Sequence, residues 1–337
     1  MERIAVVILN YNGAQMLRDF LPTVLEYSAG AQVVVADNAS TDDSVEVMHS
    51  FFSDVRLIEL DRNYGFADGY NNALRQVHAE YYILLNSDVE VTQGWLQPLL
   101  SFMDANGDAV ACQPKILSYG NRTLFEYAGA SGGFLDRYGY PFCRGRLFDT
   151  LEEDNGQYDS VCRIFWATGA AMMVRSEAYW ASAGLDGRFF AHMEEIDLCW
   201  RLQARGGSIY AVPQSVVYHV GGATLSKSNP RKTFLNFRNN LLMLYKNLPD
   251  EELCGVMRMR ALLDYVAAAK FLLTASWGDF KAVLSARREF KSMRADYADV
   301  RRANLAAASG EVSGRSSFSI LWRYYLLGRK IYSQLEK

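Results

Sequence analysis

The first hundred residues alternate between two periodicities, and this alternation narrows the fold more than any other feature. Short apolar runs at residues 4–9, 32–36, 55–60 and 81–85 have the length and β-branched or aromatic content of buried strands. Between them, residues 14–27, 42–52 and 67–77 carry helical spacing, and Thr41 or Asp42 is placed to cap the second helix, whose first turn is acidic. Strands alternating with helices predict parallel βαβ units with right-handed crossovers. No GxGxxG follows the first run, so the dinucleotide fingerprint is missing. The expectation is an α/β fold with a Rossmann-like sheet whose ligand is not NAD.

The strands end in polar clusters. The first is followed by Asn10-Tyr11-Asn12-Gly13 and the second by Asp37-Asn38-Ala39-Ser40. The third leads into Asp61-Arg62-Asn63-Tyr64-Gly65, and the fourth, "YYILL", into Asn86-Ser87-Asp88. Each alone reads equally well as a turn. In an open parallel sheet, however, ligands bind outside the carboxyl ends of the strands. Four polar ends on one rim favour a shared polar ligand.

Residues 107–225 are mixed in pattern and rich in Gly and Tyr, with an exposed loop expected at "LEEDNGQYDS". The β run "WATGAAMMVRS" precedes a helix at 194–205 and short strands at 208–212 and 216–219. Glu194, Glu195 and Asp197 open that helix. Acids in a first turn suit the helix dipole, and Asp197 stands four residues before Arg201, an ordinary ion-pair spacing. Glu194 and Glu195 follow the apolar "FFAHM", where burial would raise a carboxyl pKa into the range of a general base.

From about residue 229 the pattern is helical, with helices expected around 254–276, 277–305 and 318–335 and a flexible connector at 306–317. The chain thus divides at 228/229. Charge divides there too. Residues 1–226 hold 15 Lys/Arg against 28 Asp/Glu, whereas residues 227–337 hold 20 against 10. Basic regions of this kind meet nucleic acid or anionic membrane. No stretch of about twenty uncharged apolar residues suggests a spanning helix. The five scattered cysteines form no CxxC pair, which argues against a disulfide framework or a zinc site, and "MERIAVVILNYNG" is too short in its apolar part for a secretion signal. A cytoplasmic setting is expected.

The motifs "VVILNYNG", "VVVADNASTDDS", "LDRNYGFADGYNNAL", "YYILLNSDVEV", "TGAAMMVRSEAY" and "FFAHMEEIDLCWRL", in this order, resemble glycosyltransferase family 2, and most of all its bacterial rhamnosyltransferase-type members. The resemblance covers about residues 3–245. It implies a GT-A-type mixed sheet flanked by helices over residues 1–228, with 229–337 as a helical extension. It also implies that Asp37 binds the nucleotide base beside Asn10, Tyr11, Asn12 and Asn38. Arg62 would contact the diphosphate, and Asn63, Gly65, Gly69 and Asn71 would shape the loop and helix beneath it.

Asn86-Ser87-Asp88 corresponds to the family's DxD element, which holds Mg²⁺ or Mn²⁺ against the diphosphate. Asn86 replaces the first Asp, leaving Asp88 as the one anionic ligand, and His219 is a second ligand by the same resemblance. Glu195 corresponds to the general base, with Glu194 the alternative. Trp166, Thr168, Gly169 and Ala170 would line the sugar and acceptor pocket.

The implied reaction is inverting transfer from a nucleotide-diphosphate sugar, with dTDP-rhamnose the analogue, to a saccharide or lipid-linked saccharide in surface polysaccharide synthesis. The basic helices would meet the inner face of the membrane rather than nucleic acid. A sugar nucleotidyltransferase would want a basic glycine-rich loop after the first strand, where "NYNGAQML" has no basic residue. A non-catalytic nucleotide-sugar-binding protein on the same scaffold has only Asn86 in its favour.

Overall fold

The computed structural model describes residues 2–221 and 229–335. The expected boundary at 228/229 falls at the edge of residues 222–228, outside the described residues. Strands β1 (Glu2–Asn10), β2 (Gln32–Asp37), β3 (Arg56–Glu59) and β4 (Ala79–Asn86) are parallel and lie in the order β3-β2-β1-β4. Helices α1 (Ala14–Tyr27), α2 (Ser44–Phe51) and α3 (Gly65–Leu74) connect them. Ile4, Val6 and Ile8 of β1 enter one core and Ala5 and Val7 another. Burial on both faces is why these strands read as continuous apolar runs.

The chain continues through β5 (Val89–Val91), α4 (Leu96–Ala105) and β6 (Ala109–Ser118). Four short strands, β7 (Gly133–Leu135), β8 (Pro141–Cys143), β9 (Arg146–Leu147) and β10 (Thr150–Leu151), form a separate antiparallel sheet. Then follow β11 (Cys162–Arg163), β12 (Ala171–Arg175), α5 (Ser176–Ala181), α6 (Glu194–Ala204) and β13 (Ser208–His219). β12 runs antiparallel between β4 and β6, and β13 lies parallel to β6, so the main sheet is mixed. Asn10 pairs with Asp37, Leu9 with Asn86, and Leu85 with Ala171. The polar strand ends and the start of β12 therefore share one rim.

Helices α7 (Pro230–Asn247), α8 (Asp250–Leu273), α9 (Trp277–Met293) and α10 (Ala298–Ala306) complete the chain's regular structure. Among the described residues, no helix is long and apolar enough to cross a membrane.

Several expectations need correction. The strands expected at 208–212 and 216–219 are one strand with an irregularity between Val212 and Val216. The stretch 277–305 is two helices. The expected connector at 306–317 is bonded along its length, with Ser309 N donating to Ala204 O at 2.7 Å and Ser316 N to Leu135 O at 2.7 Å. The helix expected at 318–335 is reduced to a π turn at Trp322–Leu326 and a 3₁₀ turn at Tyr332–Gln334. Tertiary bonds override its propensity. Ile320 N donates to Asp136 Oδ2 at 3.0 Å, and Tyr332 N to Glu152 Oε1 at 3.0 Å, which pins the segment to the small sheet. Asp42 does not open α2 but serves two helices, accepting from Ser44 N at 3.1 Å and from Ala14 N at 3.1 Å.

Candidate active site

At the end of β2, Asp37 is buried and already engaged. Its Oδ1 accepts from Asn10 Nδ2 at 3.0 Å and from the Ser40 hydroxyl at 2.6 Å, and its Oδ2 accepts from Ser40 N at 2.8 Å. Oδ2 keeps capacity for one more donor. Asn12, at φ +52°, crosses to the same loop, its Oδ1 accepting from Thr41 N at 2.7 Å, while Tyr11 is exposed. A Cβ on Gly13 would fall 2.4 Å from Asn10 Oδ1 and 3.5 Å from Ser87 Oγ. Asn10, Gly13 and Ser87 are therefore neighbours.

Asn38 organises the next loop. Its amide donates to Gly65 O at 2.9 Å and Asn63 Oδ1 at 3.2 Å, and its carbonyl accepts from Tyr64 N at 2.9 Å. Gly65 is required at φ +74°, because a Cβ there would lie 2.5 Å from the Phe190 ring. Asn71 is buried in α3 and holds the 179–185 loop, donating to Leu185 O at 2.8 Å and accepting from the Tyr179 hydroxyl at 2.7 Å. Arg62 is exposed, its guanidinium 4.6 Å from the Tyr64 ring.

Asp88 is buried between β4 and β5. Its Oδ1 stands 3.1 Å from His219 Nε2, and His219 Nδ1 stands 3.3 Å from Glu126 Oε2, within ion-pair range but not aligned as a hydrogen bond. Burial pushes the Asp88 carboxyl up, but the hydrogen bond and charge of His219 outweigh it and hold the pKa below the usual range. Burial pushes the imidazole down, while the hydrogen bond to Asp88 and the charges of Asp88 and Glu126 raise it to about 10. Asp88 Oδ1 and His219 Nε2 face each other, and with the imidazole deprotonated the pair would offer an oxygen and a nitrogen to a divalent ion, a donor set that suits Mn²⁺. Among the described residues, no group of three or more His, Cys, Asp or Glu side chains could hold an ion alone. An ion here would complete its shell with diphosphate oxygens and water.

Glu194 and Glu195 open α6 after a backbone of unusual shape, with positive φ at Phe190 (65°), His192 (71°) and Met193 (72°). Burial and the charge of Glu195 push the Glu194 carboxyl well above its ordinary value. Burial raises Glu195 to about 7. Each carboxylate keeps a buried Oε2 with no partner among the described residues. Such unpaired buried acceptors are rare outside sites that receive a ligand or proton.

The two halves meet through β12. Asn86 N donates to Ala170 O at 3.0 Å, and a Cβ on the adjacent Gly169 would lie 3.9 Å from Glu195 Cβ. The acid pair and the Asn86-Ser87-Asp88 turn thus share one rim. Trp166 and Thr168, expected at the pocket, are as buried as Asp37 and Asp88. Trp166 Nε1 donates to Phe134 O at 3.1 Å, and Thr168 N donates to Gln113 Oε1 at 3.0 Å. Asp197 is structural, its carboxylate bonded to Arg201 at 2.9 Å and to Lys246 and Asn247 at 2.8 Å.

Two residues escape the sequence reading. Glu126 sits in a loop with no pattern to mark it. Asn239 is fully buried in α7, its Nδ2 within 2.8–2.9 Å of the carbonyls of Phe189, Ala191 and His192. The polar "RNN" ahead of the apolar run "LLMLY" is its only signal in the sequence.

Over residues 5–175 the chain matches the model of Glycosyl transferase family 2. It is 26% identical over 237 residues to N-acetylglucosaminyl-diphospho-decaprenol L-rhamnosyltransferase of Mycobacterium tuberculosis, a match covering 65% of this chain and 76% of the relative. Among solved structures, GalNAc-T7 with UDP, GalNAc and Mn²⁺ superposes with a TM-score of 0.64 at 15% identity, covering 97% of this chain and 57% of that one. A mannosyltransferase from Pyrobaculum calidifontis in complex with GDP-Man and Mn²⁺ gives a TM-score of 0.52 at 16% identity, covering 90% and 85%. At these identities the structural matches show the fold alone.

Proposed function

Because the chain belongs to glycosyl transferase family 2, and is a glycosyltransferase of GT-A fold, we propose that it transfers a sugar with inversion from a nucleotide-diphosphate donor to an acceptor hydroxyl, with Glu195 as the base. The observation that carries this reading is the Glu195 carboxyl. It is raised to about 7, has no partner on Oε2 among the described residues, and neighbours Gly169, next to the Ala170 that bonds the turn ending β4. A base with a pKa near the working pH combines availability with driving force.

In the proposed step Glu195 accepts the acceptor's hydroxyl proton. The oxygen forms a bond to the anomeric carbon, and the bond from that carbon to the phosphate oxygen breaks. The nucleoside diphosphate leaves with its electron pair. Burial and the charge of Glu195 raise the Glu194 carboxyl, which disfavours two charges on the pair at once.

Asp37 and Asn10 bind the nucleoside in this reading, and the α3 loop supports the diphosphate. Asp88 and His219 would hold a divalent ion, which when bound neutralises charge on the departing diphosphate. The rhamnosyltransferase relative, by its name, supports rhamnose as the sugar transferred and a saccharide on a lipid diphosphate as acceptor, and dTDP-rhamnose is the donor by analogy. A thermal-shift screen of nucleoside diphosphates and their sugars, with and without Mn²⁺, tests the binding half. Stabilisation by a dTDP sugar supports the donor assignment, and stabilisation by UDP or GDP sugars alone refutes it. Unaltered sugar transfer by Glu195→Gln refutes the base.

A further inference from the structure

Helix α8 leaves one face bare. Leu262, Val266, Ala269 and Leu273 recur at helical spacing on one stripe, with Val266 59% and Leu273 87% exposed. Trp277, 59% exposed, follows where α9 starts. On one flank of the stripe the Lys270 ammonium lies 5.9 Å from the ring of Tyr325. This contact places beside it a second bare group formed by Trp322, Tyr325, Leu326 and Leu327.

One acid near the patch, Asp149, is exposed and acts on Tyr325, while two others are turned inward or occupied. Asp264 is buried between Arg260 and Arg287, and Asp279 accepts from the Thr233 hydroxyl at 2.6 Å. The surface that remains combines aliphatic tips, Trp and Tyr, and exposed cations such as Arg258, Lys270 and Lys330. That is the composition of an element lying in a headgroup layer. A protein interface of this size would instead deplete lysine.

A short run of contacts links the start of α9 to the site. A Cβ on Gly278 would lie 2.6 Å from the Pro230 ring, so the start of α9 abuts the start of α7. The next residue, Arg231, sets its guanidinium 4.9 Å from the Phe190 ring, in the segment that leads into Glu194 and Glu195.

We propose that the α8 stripe, Trp277 and the Trp322–Leu327 turn together seat the protein on an anionic lipid bilayer, with the acceptor side of the cleft facing the headgroups. Its use in catalysis rests on the lipid-linked acceptor proposed above; the binding itself does not.

The test is co-sedimentation of the full chain with phosphatidylcholine vesicles, with and without phosphatidylglycerol, at roughly 0.05 and 0.5 M NaCl. Expected are pelleting that requires phosphatidylglycerol and weakens with salt, and at least a roughly tenfold loss of partitioning in Val266→Glu/Leu273→Glu. Both substituted positions are exposed, so the melting temperature and nucleotide binding of that variant should match the parent. The proposal is overturned if the parent stays in the supernatant or if the variant pellets equally well. It is also overturned if the parent is a dimer that the two substitutions dissociate, since the face then belongs to a second copy. Vesicle binding by a protein that binds no nucleotide sugar would leave this proposal standing and remove only the transferase reading.

Discussion

His219 Nε2 lies 3.1 Å from Asp88 Oδ1 because Val89, the residue after the carboxylate, pairs with His219 across β5 and β13. Glu126 holds the far side of the ring at 3.3 Å. A carboxylate behind a histidine fixes its orientation and raises its basicity as a ligand. Glu126→Gln is therefore expected to weaken Mn²⁺ binding by roughly 10–100-fold. Titration of Mn²⁺ followed by electron paramagnetic resonance reads this without turnover. Unchanged affinity would leave Glu126 a purely structural group.

The raised carboxyls give stability and activity opposite pH dependences. Glu195 rises from 4.5 to about 7 on folding. Its contribution to stability is complete below about 4.5 and is lost as pH rises through 7. Activity follows the deprotonated form, so kcat/KM should climb through about 7 and fall roughly tenfold per pH unit on the acid side. Glu195→Gln should lose about 10²–10⁴-fold in turnover. Together with Glu194→Gln it should also make the decline in melting temperature between pH 5 and 8 shallower, leaving the part that His219 contributes above about 6.5. A flat pH–rate profile in the parent would show that Glu195 does not accept the proton.

Lys246 joins α7 to α6 through Asp197 at 2.8 Å and reaches Asp186 at 2.6 Å. Burial raises Asp197, but the charges of Lys246 and Arg201 hold it below the usual carboxylate range. Removing one cation leaves a buried carboxylate short of compensation, which typically costs about 3–5 kcal/mol. Lys246→Met should fall at the lower end, near 3 kcal/mol, because Arg201 and Asn247 remain. Denaturant unfolding measures it, and a change below about 0.5 kcal/mol would show that the pair contributes little.

The parts of the fold that follow local periodicity were legible. The first four strands show in the sequence because both faces of β1 and β4 are buried, and the rim shows because each strand ends in polar residues. Trp166 is not decided by sequence, because an indole beside small residues reads equally as pocket or core; its indole nitrogen donates to Phe134 O. The last helix failed because Asp136 and Glu152, more than 170 residues away in the chain, take its backbone donors. Glu126 and Asn239 act through contacts distant in sequence, and no local pattern announces such contacts.

Phe190 connects the nucleotide loop to the acid helix. Its carbonyl accepts from Phe66 N at 2.7 Å and Ala67 N at 3.3 Å, while its ring fills the space where a Cβ on Gly65 would be. Phe190, His192 and Met193 all hold positive φ, which costs of order 1–3 kcal/mol per residue and persists only when surroundings enforce it. Asn239 enforces it from the other side through three carbonyls. Gly65→Ala should push Phe190 away and tilt the entry to α6, lowering kcat at least about tenfold, since an ångström of misplacement is costly. Asn239→Ala should strand the carbonyls and destabilise by about 1–3 kcal/mol, with a similar loss in kcat. The discriminating measurement is donor binding by calorimetry beside turnover. Asn239→Ala should keep most of its affinity for the nucleotide, because its amide bonds the carbonyls of the 189–192 turn. Equal losses in affinity and turnover would mean that the turn supports the nucleotide loop rather than the acid helix.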